Sequence, residues 1–154
     1  MNLKVKEETL RTIGEYRFPT YNEIPNVGLY LEQTAKYINE YLEPLMDTPV
    51  TGSMVSNYVK KKLIKSPIKK QYYRDQIAKL LIIATLKSVI ALDKVNLVLS
   101  LFDDERMEEL YSCFYKVFSS NLSAIFGLED KAESPTYEGN NLMHSIIATV
   151  VHKI

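Results

Sequence analysis

The chain has 154 residues with 19 Lys+Arg against 19 Asp+Glu, a formal net charge of zero, and is 46% hydrophobic and 25% charged, which bounds it to one soluble globular domain, or one plus a helical appendage. Cys113 is the single cysteine, which excludes an intramolecular disulfide and fits a reducing cytoplasm. No apolar run reaches the roughly 18 residues that span a bilayer, and the opening MNLKVKEETLRTIGEYRF mixes both charges and has no signal-peptide core.

In residues 1–17 the apolar positions Leu3, Val5, Leu10 and Ile13 predict a loose helix or an arm. Residues 18–28 contain Pro19, Pro25 and Gly28 and read as a connector with Phe18 and Tyr21 as aromatic anchors. Residues 29–45 are amphipathic. Leu31, Ala35, Ile38, Leu42 and Leu45 recur at helical spacing, while Glu32, Gln33, Lys36, Asn39, Glu40 and Glu43 lie elsewhere. Pro44 ends this helix or bends its last turn. It is the expected first helix of a helix-turn-helix, with residues 46–50 as a turn longer than the tight three- or four-residue form.

The neutral total conceals a bipolar chain. Residues 48–90 hold nine cations (Lys60, Lys61, Lys62, Lys65, Lys69, Lys70, Arg74, Lys79 and Lys87) and one acid, Asp75, a formal charge of +8 that leaves −8 on the remainder. A local basic field is what attracts a polyanion. Pro49 and Thr51-Gly52 open a helix over residues 51–61, with Thr51 as its N-cap. On a helical wheel Met54, Val55, Tyr58 and Val59 share one arc, and Ser53, Ser56, Asn57, Lys60 and Lys61 the opposite one. Lys62 falls on the apolar side, where its stem can extend over the core edge. Such an outer face suits a DNA major groove, its side chains reaching base edges or phosphates. Residues 63–65 and 71–73 read as two short strands joined through 66–70, with Pro67 at a turn or edge, forming a basic wing. From Arg74 a nearly all-apolar helix follows (Ile77, Leu80, Leu81, Ile82, Ile83, Leu86, Val89, Ile90), expected to be buried.

Ala91-Leu92-Asp93 breaks that helix, and Val95, Val98, Leu99 and Phe102 continue as a short one. The acids 103–105 start the next helix, favoured there by the helix dipole. Met107, Leu110, Tyr111, Phe114, Phe118, Leu122, Ile125 and Phe126 step at three and four, and Gly127 is a C′ stop. Residues 128–141 read as a polar loop and 142–154 as a last apolar helix. The expected organisation is an arm and connector over 1–28, a winged helix-turn-helix over 29–102, and C-terminal helices over 103–154. Their apolar surface is large for a chain this short, and a homodimer interface accounts for it.

The order helix, YxxxxLI, basic hairpin, aromatic-Arg, then a long apolar helix with LKxxxxL resembles winged helix-turn-helix domains of the mercury-resistance-regulator (MerR) class. More closely, the chain resembles a bacterial family known as domain of unknown function 1836. The segments FPTYNEIP (18–25), LYLEQ (29–33), TGSMVSNYVKKKLI (51–64), PIKKQYYRDQIAKLLIIATLK (67–87) and LDKV (92–95) recur in that family's order. The resemblance implies a mostly α fold with a MerR-like winged helix-turn-helix, a small β-hairpin wing and a C-terminal helical part, and it carries over no catalytic residue. Asn57-Tyr58 stands where the MerR class has an Arg-Tyr pair.

The expected partner is double-stranded DNA, bound by a homodimer in the cytoplasm. The candidate contacts are Ser53, Ser56, Asn57, Lys60, Lys61, Lys65, Lys69, Lys70, Tyr72 and Arg74. Three lysines alone usually make a solvated surface; here six more cations share the same unit. Asn57 suits a bidentate contact to an adenine edge, or else a phosphate, or else only fills the helix surface. Ser53 and Ser56 are helix-start residues or phosphate donors, and Tyr58 and Tyr73 packing residues. Tyr72 beside the wing suits a phosphate or sugar contact. No cofactor and no metal are expected: His144 and His152 are eight apart without a further ligand, and Cys113 among aromatics reads as core. No P-loop, GxGxxG, GxSxG or HExxH occurs, so no enzyme is expected, and the acids 103–105 are a helix start rather than a carboxylate site. Two other readings stand beside DNA binding. One is a protein-interaction module whose basic face docks an acidic partner or the acidic remainder of another subunit. The other is a small-molecule sensor with a pocket lined by Tyr111, Phe114, Tyr115 and Phe118.

Overall fold

The elements follow from where the apolar positions fall and from which side chains close the helix ends. The structure is a computed structural model, and it describes residues 18–44, 46, 48–100 and 106–126. The expectations for residues 1–17, 45, 101–105 and 127–154, His144 and His152 among them, lie outside the described residues. After a 3-10 turn, Tyr21–Glu23, come strand β1 (Leu29–Tyr30), helix α1 (Leu31–Leu42), helix α2 (Gly52–Lys60), strand β2 (Gln71–Tyr72) and helices α3 (Arg74–Leu86), α4 (Leu92–Leu99) and α5 (Met107–Phe126). The fold is mostly α.

Three of these starts use one device. A side chain three residues into the turn or helix reaches back to the N-cap backbone N–H, which otherwise has no helical partner. Glu23 accepts from the Thr20 N–H at 3.3 Å, Gln33 from Tyr30 at 2.9 Å and Gln76 from Tyr73 at 2.7 Å. Helix α2 starts as its sequence implies, with the Thr51 hydroxyl accepting from the Met54 N–H at 3.2 Å.

Helix α3 is the hub. Residues 76–78 and 80–86 are all buried, so it is covered on nearly every side. It packs against both α1 and α5. The hydroxyl of buried Thr85 donates to the Leu81 carbonyl at 2.8 Å, which satisfies it inside the helix. On α5, Met107, Leu110, Tyr111, Phe114, Val117 and Phe118 are buried in the same core. Phe18 closes that end, its ring edge-on to Phe114 at 5.5 Å and to Phe118 at 4.7 Å. The Tyr111 hydroxyl donates to the Pro19 carbonyl at 2.6 Å. The connector, helices α1 to α4 and α5 therefore share one hydrophobic cluster, from Phe18 to Phe118.

The expected β-hairpin wing does not form. Leu63 and Ile64 are core residues, 2% and 4% exposed, rather than a strand. Gln71 pairs instead across a tight turn with Ile68, and β2 runs antiparallel to β1, with Leu29 opposite Tyr72 and Tyr30 opposite Gln71. Pro67 has no N–H to give to a longer hairpin ladder. Burial of Leu63 and Ile64 outweighs strand pairing there, so β2 takes its partner from far back in the chain.

Candidate nucleic-acid interface

Helix α2 divides as its wheel implies. Gly52, Val55 and Tyr58 are buried and Met54 and Val59 half-buried, while Ser53, Ser56, Asn57 and Lys60 are exposed. At Gly52 an added Cβ would lie 2.6 Å from the Glu32 carboxylate and 3.3 Å from Leu31, so glycine lets the starts of α1 and α2 approach. The turn between them is held by Asn39. Its side-chain amide donates to the Val50 carbonyl and accepts from the Val50 N–H, both at 2.8 Å.

Past Lys60 the chain leaves the helix abruptly. The Lys62 N–H donates to the Val59 carbonyl and the Leu63 N–H to the Tyr58 carbonyl, both at 2.9 Å, with Lys62 at φ 61° and Leu63 turned into the core. This is a Schellman motif with lysine where glycine is usual. The motif takes Lys62 off the wheel, and its side chain is exposed rather than laid over the core edge.

Lys65, Lys69 and Lys70 follow, all exposed. Lys69 and Lys70 have φ 51° and 67°, and Ile68 and Gln71 exchange two backbone hydrogen bonds at 2.9 and 3.0 Å. Positive φ at both central residues marks a type I′ turn, the form that Asn-Gly ordinarily occupies. Gln76, 8% exposed, fastens the segment from beneath by donating to the Ser66 carbonyl at 2.9 Å and the Lys65 carbonyl at 3.2 Å. Sequence reasoning missed this role, although a glutamine three residues past a helix start was the available signal.

Six of the nine cations in residues 48–90 are exposed, all within residues 60–70: Lys60, Lys61, Lys62, Lys65, Lys69 and Lys70. Among the described residues no carboxylate forms an ion pair with any of them. The other three, Arg74, Lys79 and Lys87, are half-buried. Lys87 is half-buried, its ammonium 5.8 Å from the Tyr58 ring centroid and 3.8 Å from the Met54 sulfur. Lys79 is half-buried on a small cleft with Ile64, Lys65, Asp75, Gln76 and Met107.

Two expected contacts are corrected. Arg74 donates from Nε to the Ile24 carbonyl at 2.8 Å and from Nη2 to the Asn22 carbonyl at 3.2 Å, and its guanidinium lies 5.5 Å from the Tyr21 ring centroid. Two of its donors tie the connector to α3. Tyr72 is 3% exposed because it faces the core from β2, and burial pushes its hydroxyl pKa up. Its neighbour across the ladder is Leu29, on the same inner face.

Of the rings expected to line a sensor pocket, Tyr111, Phe114 and Phe118 are 1% exposed or less and pack on one another and on Phe18. Cys113 is buried, and burial raises its thiol pKa. Among the described residues no three of His, Cys, Asp and Glu gather to hold a metal ion, and no helix is long and apolar enough to cross a membrane.

A family described as a domain of unknown function, number 1836, matches residues 19–118, and the chain belongs to it. No curated protein and no solved structure matches the chain.

Proposed function

We propose that this member of the domain of unknown function 1836 family is a double-stranded-DNA-binding transcriptional regulator. Its helix-turn-helix would be similar to that of the MerR class, with α2 in the major groove and the 61–70 segment on adjacent phosphates. The observation that supports this most is the exposure of Ser53, Ser56, Asn57 and six lysines within residues 53–70. Exposed ammonium groups without carboxylate partners among the described residues are suited to phosphates, and the serine and asparagine side chains to base edges or phosphate oxygens. Binding as a dimer belongs to this reading, since two copies read two half-sites about one helical turn apart. The described part of the apolar stripe of α5, from Met107 to Phe118, is buried within the chain. Leu97 on α4, 62% exposed, is the apolar side chain available to a second copy there.

The test is a titration against duplex DNA at several salt concentrations. With ~4 phosphates neutralised per subunit, log Kobs falls against log salt with a slope near −0.9 per phosphate. Folded protein that binds no duplex at low salt overturns the proposal.

A second reading, a docking module for an acidic protein, is favoured by one feature. Tyr30 and Ile68 are 54% and 61% exposed and lie on either side of Gln71 beside the lysine turn. A protein partner that binds this face and is not displaced by excess duplex would support it over DNA.

A further inference from the structure

Lysine is an unexpected choice at three places in residues 60–70. The non-glycine residues with positive φ among those described are Lys62, Lys69 and Lys70, and all three are lysines. A left-handed backbone crowds the Cβ of any L-residue against the next carbonyl, so these positions favour glycine or asparagine. Strained backbone of this kind collects at functional sites, where another requirement overrides it.

Structural explanations for the lysines do not suffice. All three side chains are exposed, so they fill no core. Among the described residues they form no ion pair. The helix dipole favours a cation after the end of α2 and so accommodates Lys62. It does not account for Lys69 and Lys70, which precede the N-terminus of α3 at Arg74, where a cation is disfavoured. What the three have in common is a rigid backbone, set by the Schellman motif and the two-residue turn, and an ammonium group presented to solvent. A contact built on fixed backbone loses less freedom on binding than one on a loose loop.

We propose that Lys62, Lys69 and Lys70 form one preorganised clamp on the sugar-phosphate backbone of duplex DNA, held at the expense of folding stability. Lys62 is thereby added to the interface as a phosphate contact outside the helix face. The clamp rests on the DNA-binding reading, which the wild-type titration tests separately.

The experiment compares Lys62→Gly, Lys62→Gln, the double variant Lys69→Asn with Lys70→Gly, and Lys94→Gln as a charge control on α4. Each is melted and then titrated with a random-sequence duplex over a range of salt. The glycine and asparagine variants should melt higher than wild type, by about 2–4 °C per relieved position. They should bind about tenfold more weakly per lysine lost at 0.1 M salt, with a slope shallower by about one for each. Lys62→Gln, which removes the charge and keeps the backbone strain, should bind as weakly as Lys62→Gly but melt like wild type. Lys94→Gln should leave binding unchanged. Variants that melt higher and still bind like wild type would overturn the clamp while leaving DNA binding intact. So would a Lys62→Gln variant that gains as much stability as Lys62→Gly, because relief of charge repulsion would then explain the gain. Wild type with no salt-dependent binding would remove the DNA reading and the clamp together.

Discussion

The side-chain amide of Asn39 pairs with the backbone of Val50 as a strand would, one hydrogen bond in each direction at 2.8 Å. Asn39 sits on α1 and Val50 one residue before the cap of α2, so this pair sets where α2 leaves the turn. It does the work of a short turn in a connection that is longer. Asn39→Ala leaves a half-buried N–H and carbonyl without these partners and should lower stability by about 1–3 kcal/mol. Chemical denaturation measures the loss. Asn39→Asp keeps the acceptor but sets a carboxylate against the Val50 carbonyl, and should be no better than alanine.

Gln76 should behave as a hinge pin for the basic segment. Gln76→Ala removes the donor to the Lys65 and Ser66 carbonyls and the acceptor for the Tyr73 N–H. The expected result is a loss of roughly 1–3 kcal/mol, with amide exchange accelerating at residues 65–73 more than in α3. Uniform acceleration through the whole core would contradict a local role.

Arg74 separates anchoring from contact. Its guanidinium donates to two backbone carbonyls of the connector, so Arg74→Ala should lower the melting temperature yet leave the salt slope of DNA binding unchanged. Lys69→Ala with Lys70→Ala should show the reverse, a preserved melting temperature and a flatter slope by about two. Asn57→Ala should alter which sequences are selected from a random pool while leaving the slope alone.

Tyr21 makes stability sensitive to alkali. Its hydroxyl donates to the Asp75 carboxylate. Burial first, and then this hydrogen bond, push its pKa up from 10.0 to about 12. The native state therefore favours the protonated phenol. Its stabilising contribution is full below pH 10 and is lost as pH rises through about 12. The difference in stability between wild type and Tyr21→Phe should be constant up to that window and shrink across it. A difference that grows with pH would mean that the bond favours the phenolate.

Much of the architecture was legible because helix formation is local. The apolar spacing of α1, α2 and α3, the Thr51 cap and the outward side of α2 depend on residues three or four apart, and those distances are present in the sequence itself. The wing was not legible. Leu63 and Ile64, a short apolar pair between lysines, read as a strand beside the wing turn, yet both are buried in the core. Tyr72 and Arg74 were misplaced for the same reason: adjacency in sequence to the lysines says nothing of which way a side chain faces after a strand.

The sequence by itself determined the helices, their buried faces and the concentration of positive charge in residues 48–90, all properties of short-range periodicity and composition. Only the tertiary structure decided that β2 joins Leu29–Tyr30, that Arg74 is engaged by the connector, and that three lysines sit on left-handed backbone. The first two outcomes depend on contacts between segments about forty residues apart or more, and the left-handed turn at Lys62 on the burial of Leu63 that follows it, and no local pattern encodes which distant surface a residue will meet.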